Sequence, residues 1–178
     1  MLAEAPALAR AVVETGGDVF FDEITHYAYG GDTALHMAAA AYEVPIAREL
    51  VSKGANVRAR NRRGAEPLHY AADGIPGSRS WDPDAQAAVV RFLIDAGADP
   101  NAVDKSGVAP LHRAVRTRST AAVRALLDGG ADVRLRNKRG STPLQLAMQD
   151  TGRGGAGSDE AREEQAAIVQ LLLDHGAR

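Results

Sequence analysis

The phrase APLHRAV, at residues 109–115, recurs in three variants along a chain of 178 residues. TALHMAA stands at 33–39, EPLHYAA at 66–72 and TPLQLAM at 142–148, so the shared leucines are 33, 43 and 33 residues apart. Repetition at intervals of this size is typical of arrays built from one small structural unit. The sequence therefore predicts a stack of similar units rather than one irregular domain.

A second phrase follows each copy of the first. It is an apolar run that ends in glycine and alanine, and it occurs as ELVSKGANVRA (49–59), FLIDAGADPNA (92–102), ALLDGGADVRL (125–135) and LLLDHGAR (171–178). Because the two phrases alternate in phase, each unit is predicted to hold two short antiparallel helices, A and B. A polar, glycine-containing finger leads from each unit to the next.

Residue types at the helix ends predict where each helix begins and stops. Thr33 and Thr142 suit the N-cap of helix A, since a hydroxyl accepts from free backbone N–H groups. Proline occupies the first helical position in the second, third and fourth copies of the phrase, at Pro67, Pro110 and Pro143. Helix B carries apolar pairs four residues apart, such as Val89 with Leu93. Its predicted stop is a left-handed glycine, at Gly54, Gly97, Gly130 and Gly176.

These phrases resemble ankyrin repeats, whose period is about 33 residues and whose pattern is T-P-L-H-x-A. The resemblance implies an all-α solenoid of stacked helix-turn-helix units with β-hairpin-like fingers, forming a single domain over residues 1–178. We divide it into repeats at 29–60, 61–103, 104–136 and 137–178. Residues 1–28 are interpreted as a degenerate capping half-repeat, because AVVETGGDV (11–19) mirrors the end of helix B.

Repeats 2 and 4 contain an insertion between helices A and B. The leucine of the first phrase and the glycine that ends helix B lie 19 residues apart in repeats 1 and 3, but 29 apart in repeat 2 and 32 in repeat 4. The added residues fall within 73–86 and 150–165. Lengthening a surface loop costs only about 0.6 kcal/mol per doubling. The insertions are therefore either tolerated drift or functional loops on a rigid scaffold.

The composition excludes several classes of protein. Hydrophobic residues make up 45% but aromatics only 4%, which favours packed helices over a β-sandwich or barrel. The lack of cysteine excludes disulfides and cysteine-ligated zinc, and a net charge of −2 gives no general attraction to nucleic acid or anionic membranes. With no signal-peptide pattern and no membrane-spanning run, a cytoplasmic protein is expected. The excess of arginine over lysine indicates GC-rich coding and favours a bacterial source.

No pattern in the sequence assembles a catalytic, cofactor or metal site. His36, His69 and His112 recur at the repeat period, and the resemblance implies that they hydrogen-bond the backbone of the neighbouring finger. GRGGAGS (152–158) could expose N–H groups to phosphate, but it lacks the lysine of a P-loop and acidic residues follow it. We therefore expect neither enzymatic activity nor a bound cofactor or metal.

Two of the three fingers are basic. They read NVRARNRRG (56–64) and DVRLRNKRG (132–140), whereas the finger between them reads DPNAVDKSG (99–107). The charge is either a solvated surface balanced by acids elsewhere or a site for the acidic face of a protein partner. Nucleic acid is not expected as a partner, since no aromatic set is available for base stacking.

The resemblance implies a non-catalytic protein–protein interaction module, acting as an adaptor, inhibitor or regulator and expected to be monomeric. Its partner would bind a concave groove formed by the fingers and helix A. The groove positions that the resemblance implies are Arg62, Arg63, Ala65, Tyr70, Lys105, Ser106, Val108, Arg113, Arg116, Thr117, Lys138, Arg139, Ser141 and Gln149.

The alternative function is a small-ligand or anion receptor between the two insertions, which leave the stack on the order of 20 Å apart. Its floor would be RTRST (116–120), where Arg116 and Arg118 could bridge a carboxylate or phosphate. Its walls would carry Arg79, Trp81 and Asp82 on one side and Arg153 on the other. Trp81 would be either a binding hot spot or an anchor for its own loop.

Overall fold

The computed structural model describes residues 10–14, 19–21, 26–74, 81–149 and 159–178. In these ranges the chain forms α1 (Ala34–Ala40), α2 (Val44–Ser52), α3 (Pro67–Ala71), α4 (Pro83–Asp95), α5 (Pro110–Thr117), α6 (Thr120–Asp128), α7 (Pro143–Ala147) and α8 (Asp159–Asp174). It also forms strands β1 (Val19–Phe21) and β2 (His26–Ala28). The odd-numbered helices are the predicted helices A and the even-numbered ones the helices B, so the all-α solenoid is confirmed. The exact repeat boundaries stay a prediction.

The helix ends follow the local rules. Thr33 and Thr142 are N-caps in extended conformation, and the three predicted prolines open α3, α5 and α7. The four stop glycines are left-handed, with φ between +84° and +100°. After each glycine the chain turns back onto its helix, as where the Ala98 amide donates to the Leu93 carbonyl at 2.9 Å. This arrangement satisfies carbonyls that the helix end leaves without an intrahelical partner.

The helices stack in two layers. Each helix A packs on the helix A of the adjacent repeat, and each helix B packs on the adjacent helix B. Leu35, Leu68 and Leu111 are fully buried at equivalent points of the inner layer, and Leu93 and Leu126 in the outer one. In the described residues, every extensive contact between helices joins elements of one repeat or of neighbouring repeats. The core is therefore one-dimensional.

The segment before repeat 1 contains two short strands. β1 and β2 pair antiparallel, with Val19 opposite Ala28. Val13 is held against the turn that precedes α1, since its amide donates to the Asp32 carbonyl at 2.7 Å and its carbonyl accepts from the Gly31 amide at 3.0 Å. The sequence analysis did not anticipate the strand pair. The half-repeat interpretation stays a prediction, because residues 1–9 lie outside the described ranges.

In the repeats without insertions, helix A ends against the backbone that starts helix B. The Ala38 carbonyl accepts from the Glu43 amide at 2.9 Å, and the Ala114 carbonyl accepts from the Ser119 amide at 3.1 Å. Both donors stand 11 residues before the glycine that ends helix B. An insertion at this corner moves the backbone donor away.

In the inserted repeats a glutamine side chain supplies the same hydrogen bond. Gln86 Nε2 donates to the Ala71 carbonyl at 2.9 Å, and Gln165 Nε2 donates to the Ala147 carbonyl at 2.7 Å. Both alanines are the counterparts of Ala38 and Ala114, and both glutamines also stand 11 residues before the terminal glycine. The side-chain amide thus replaces the displaced backbone N–H. Helix A and helix B therefore stay hydrogen-bonded to each other in spite of the insertion.

Candidate functional site

Each finger is closed by one Asx side chain. Asn61 Oδ1 accepts from the amides of Arg63 and Ala65 at 2.9 and 3.0 Å. Asp104 and Asn137 make the same two bonds in the next fingers, at 2.8 to 3.1 Å. The sequence analysis missed these residues, although Asn or Asp three positions before the finger glycine is a recognisable turn signal. The fingers are therefore fixed rather than loose turns.

Backbone hydrogen bonds link each fingertip to the next. The Arg62 amide donates to the Gly30 carbonyl at 2.8 Å, the Lys105 amide to the Arg63 carbonyl at 2.9 Å, and the Lys138 amide to the Ser106 carbonyl at 3.0 Å. The approach is close, since a Cβ on Gly107, whose φ is +72°, would lie 2.8 Å from the Lys138 nitrogen. We call the linked tip residues, together with Arg139 beside Lys138, the fingertip row: Gly30, Arg62, Arg63, Lys105, Ser106, Lys138 and Arg139.

The fingertip row is cationic and faces solvent. Its five basic side chains are all exposed. Arg63 lies over the Tyr29 ring, with 4.0 Å between its guanidinium carbon and the ring centroid, and Arg62 approaches the same ring at 5.6 Å. The carboxylate of Asp104, which is in the same finger as Lys105, points inward to Arg113 at 3.3 Å. The row therefore presents positive charge on a rigid edge.

A ladder of buried histidines supports the fingers from below. Nε2 of His36, His69 and His112 lies 3.2, 3.0 and 3.2 Å from the carbonyls of Ala65, Val108 and Ser141. Nδ1 of each ring accepts from the backbone amide of its own N-cap residue at 3.1 to 3.2 Å. The proton is therefore on Nε2, which donates to the finger carbonyl. The predicted structural role of these histidines is confirmed.

Burial holds the histidines neutral. It lowers the pKa of His36 and of His112, and it lowers the pKa of His69 to about 4, with Arg113 acting in the same direction. Both ring nitrogens are already used in hydrogen bonds. Within the part of the chain that the structure describes, no group of three or more His, Asp or Glu side chains is placed to hold a metal ion.

Tyr70 and Ala65 were expected in the groove, but both are buried at 1% exposure. Tyr70 Oη donates to Asp32 Oδ2 at 2.7 Å, and Asn61 Nδ2 donates to Asp32 Oδ1 at 2.8 Å. A buried carboxylate needs such donors, and Asp32 obtains them from repeat 2. The expectation that Tyr70 and Ala65 contact a partner is corrected, because they belong to the interior.

Arg113 is mostly buried between two carboxylates. It donates to Asp73 at 2.9 Å and to Asp104 at 3.3 Å. It therefore ties the start of the first insertion to the next finger. Of the remaining groove positions, Lys105, Ser106, Lys138, Arg139 and Gln149 are exposed, while Val108, Arg116 and Ser141 are half-buried.

The corner of repeat 3 is not an open cationic floor. Arg118 and Thr117 are each only 4% exposed, and Thr117 Oγ1 donates to the Arg113 carbonyl at 3.2 Å. Ser119 donates to Gln86 Oε1 at 2.7 Å, and Thr120 donates to Glu164 of the other inserted repeat. The expectation that Arg118 and Thr117 meet a ligand is therefore corrected, since this corner is tied to both neighbours.

Trp81 is half-buried, and its indole Nε1 donates to Gln86 Oε1 at 2.9 Å. The same glutamine binds Ala71, Asp73 and Ser119. These contacts support the anchor interpretation of Trp81, while its use by a partner stays a prediction. Arg79 and Arg153, the other predicted wall residues, lie outside the described residues, as does GRGGAGS.

In the described ranges, no helix is both long and apolar enough to cross a membrane. Comparison with known proteins matches three ankyrin family models: "Ankyrin repeats (3 copies)" at residues 7–79, "Ankyrin repeat" at 63–105 and "Ankyrin repeats (many copies)" at 87–147. A similar curated protein is the mitochondrial disaggregase of Rattus norvegicus, 42% identical over 64 residues, which are 35% of this chain and 10% of that protein. The repeated phrases, the stacked helix pairs and these matches agree, and the chain belongs to the ankyrin repeat family.

Proposed function

We propose that the protein is a non-catalytic interaction module that binds a protein partner through the fingertip row and the exposed faces of the inner helices. Ankyrin repeats are generally protein–protein interaction modules. The observation that carries the proposal is the row itself, in which five exposed cations stand on hydrogen-bonded fingertips. A prearranged surface lowers the entropy that binding costs, so a rigid edge favours specific association.

The partner face is proposed to be acidic. Arg62, Arg63, Lys105, Lys138 and Arg139 follow one another along the edge with Gly30 and Ser106 as the uncharged members of the row. Complementary charge mainly raises the association rate and selects among partners. An adaptor, inhibitor or regulator that acts as a monomer in the cytoplasm would fit this surface.

The alternative receptor between the insertions has less support. Its floor required two accessible guanidinium groups, and Arg118 is buried. The hydrogen bonds of Ser119 and Thr120 to neighbouring repeats occupy the same corner. We therefore place the functional surface on the fingers.

The test replaces Arg62, Arg63, Lys138 and Arg139 with serine. Partners are first identified by cross-linking the wild-type protein in a native lysate, and association rates are then measured over a salt series. We expect the variant to associate roughly tenfold more slowly at low salt, with the difference shrinking as salt rises, because screening weakens exposed charge interactions. The melting temperature should change little, since these side chains are exposed.

The matched control removes four exposed arginines from helices B, namely Arg48, Arg91, Arg124 and Arg162. This variant loses the same net charge but keeps the fingertip row. Equal slowing in both variants would show that only net charge matters. Unchanged association of the fingertip variant at every salt concentration would reject the row as the binding surface.

A further inference from the structure

A recess lies between the finger of residues 132–140 and the last residues of repeat 4. Val133, Arg134, Arg136, Thr142 and Arg178 line it, and its volume is about 340 Å³. We call it the C-terminal niche. None of the five lining residues is acidic, and the arginines of the fingertip row do not take part in it. It is therefore separate from the surface proposed above.

The same position between repeats 1 and 2 already contains a carboxylate. Glu66, the N-cap of α3, is buried, and its Oε1 lies 3.9 Å from Arg60 Nε. Burial raises the pKa of Glu66, while Arg58 and Arg60 oppose that rise. Arg60 of the preceding finger thus faces a buried acid of its own chain, while Arg58 forms its ion pair with Asp99 at 3.3 Å.

Repeats 3 and 4 reproduce this arrangement without the acid. Arg134 and Arg136 occupy the sequence positions of Arg58 and Arg60, counted from the glycine that ends helix B. Arg60 donates to the Gly64 carbonyl through Nε at 3.0 Å, and Arg136 donates to the equivalent Gly140 carbonyl through Nη1 at 2.6 Å, so both guanidinium groups bond the same finger carbonyl. The equivalent of Glu66 is Thr142, whose hydroxyl accepts from the Gln145 amide at 3.3 Å.

We propose that the C-terminal niche binds one carboxylate of an acidic peptide segment, with Arg134 and Arg136 as the main cations. The peptide carboxylate would occupy the position that the side-chain carboxylate of Glu66 occupies between repeats 1 and 2. Guanidinium groups hold carboxylates through charge-assisted hydrogen bonds. Val133, which is buried, supplies an apolar wall for the methylene groups of a glutamate side chain.

The experiment follows the arginine Nε–Hε resonances of the full chain while acetyl-Gly-Glu-Gly-amide is added. The expected result is a saturable shift of the Arg134 and Arg136 signals that acetyl-Gly-Gln-Gly-amide does not produce. T142E should weaken the Kd by roughly tenfold or more, because the new side chain occupies the niche as Glu66 does. Glu66 itself shows that this N-cap position accepts glutamate, and circular dichroism verifies the fold of the variant.

M148E is the matched control, since it adds the same charge at an exposed position outside the niche. It should leave the Kd within roughly twofold, because charges in solvent are screened. Three results would overturn the proposal: equal binding of the glutamine peptide, an unchanged Kd in T142E, or tighter binding of inorganic phosphate than of the glutamate peptide. The serine variant of the fingertip row separates the two proposals. If it no longer binds the protein partner but its Arg134 and Arg136 signals still shift with the glutamate peptide, the result bears on the proposed function and not on the niche.

Discussion

At the scale of single residues, the histidines show how one side chain can serve two neighbouring structures. Nδ1 of His69 accepts from the start of its own helix, and Nε2 donates to the Val108 carbonyl of the next finger. Gln145 keeps half of this role in repeat 4, because its Oε1 accepts from the Thr142 amide at 2.9 Å. Glutamine is thus an uncharged substitute that the chain itself uses.

We predict that H69Q makes stability less dependent on pH. Burial lowers the pKa of His69 to about 4 from an ordinary value of 6.5. Between these two values the histidine is protonated in the unfolded chain but neutral in the folded protein. The stabilisation is complete above the unfolded pKa and is lost as the pH falls from 6.5 towards about 4. Urea unfolding should show wild type losing roughly 1–2 kcal/mol more than H69Q between about pH 7 and about pH 5.

The control for this titration is H175Q, which replaces an exposed histidine. It tests whether replacing any histidine has the same effect, since the His175 ring is exposed while the His69 ring is buried. If H69Q and wild type lost the same free energy of unfolding over the acid range, His69 would not be held neutral by the fold.

At the scale of elements, the insertions are attached through built contacts. Gln86 is fully buried and joins α3, α4 and α6 through Ala71, Asp73, Trp81 and Ser119. Tyr42 of repeat 1 also donates to the Asp73 carbonyl at 2.7 Å. The first insertion therefore starts and ends on a fixed hydrogen-bonded base.

We predict that Q86L destabilises the protein by about 2–4 kcal/mol, because buried carbonyl and hydroxyl groups lose their partners. Q165L should cost less, on the order of 1 kcal/mol, since Gln165 is half-buried. Chemical unfolding of both variants measures the difference. W81F, which removes the indole N–H and replaces the two-ring indole with a smaller phenyl ring, should cost less than Q86L and leave partner affinity unchanged if Trp81 is an anchor. Equal effects of Q86L and Q165L would contradict the central role of Gln86.

At the scale of the whole molecule, stability is distributed along the stack. α8 makes its extensive helix contacts with α7 and α6, and α2 makes its own with α1 and α4. A destabilising substitution at one end of such an array affects the other end only through the repeats between them.

We predict that L111A and L35A, both at fully buried inner-layer leucines, each cost about 2–5 kcal/mol but act on different parts of the stack. Amide hydrogen exchange should accelerate more in α8 than in α2 for L111A, since the extensive contacts that α7 and α8 make outside repeat 4, among the described residues, are with repeat 3. The order should reverse for L35A. Equal acceleration throughout the chain in both variants would indicate a single cooperative unit.

The sequence by itself determined the repeat architecture, the helix ends and the place of the insertions. These features depend on local rules: proline at N1, threonine at the N-cap, left-handed glycine at the stop, and apolar residues four apart. The role of the histidine ladder was also anticipated, because the resemblance to ankyrin repeats implied it for the histidines of the repeated phrase. The three finger residues Asn61, Asp104 and Asn137 could have been found by the same local reasoning.

Only the tertiary structure decided which polar side chains are functional candidates. Tyr70 lies inside because Asp32, 38 positions earlier in the chain, accepts its hydrogen bond, and Arg113 is held by Asp73, 40 positions earlier. In the sequence, Gln86 and Gln165 resemble ordinary helix residues. Their role is visible only when the structure shows that each insertion displaces the backbone amide that would otherwise donate to the last carbonyls of helix A. Burial and hydrogen-bond satisfaction depend on distant partners, so the pattern of one segment cannot specify them.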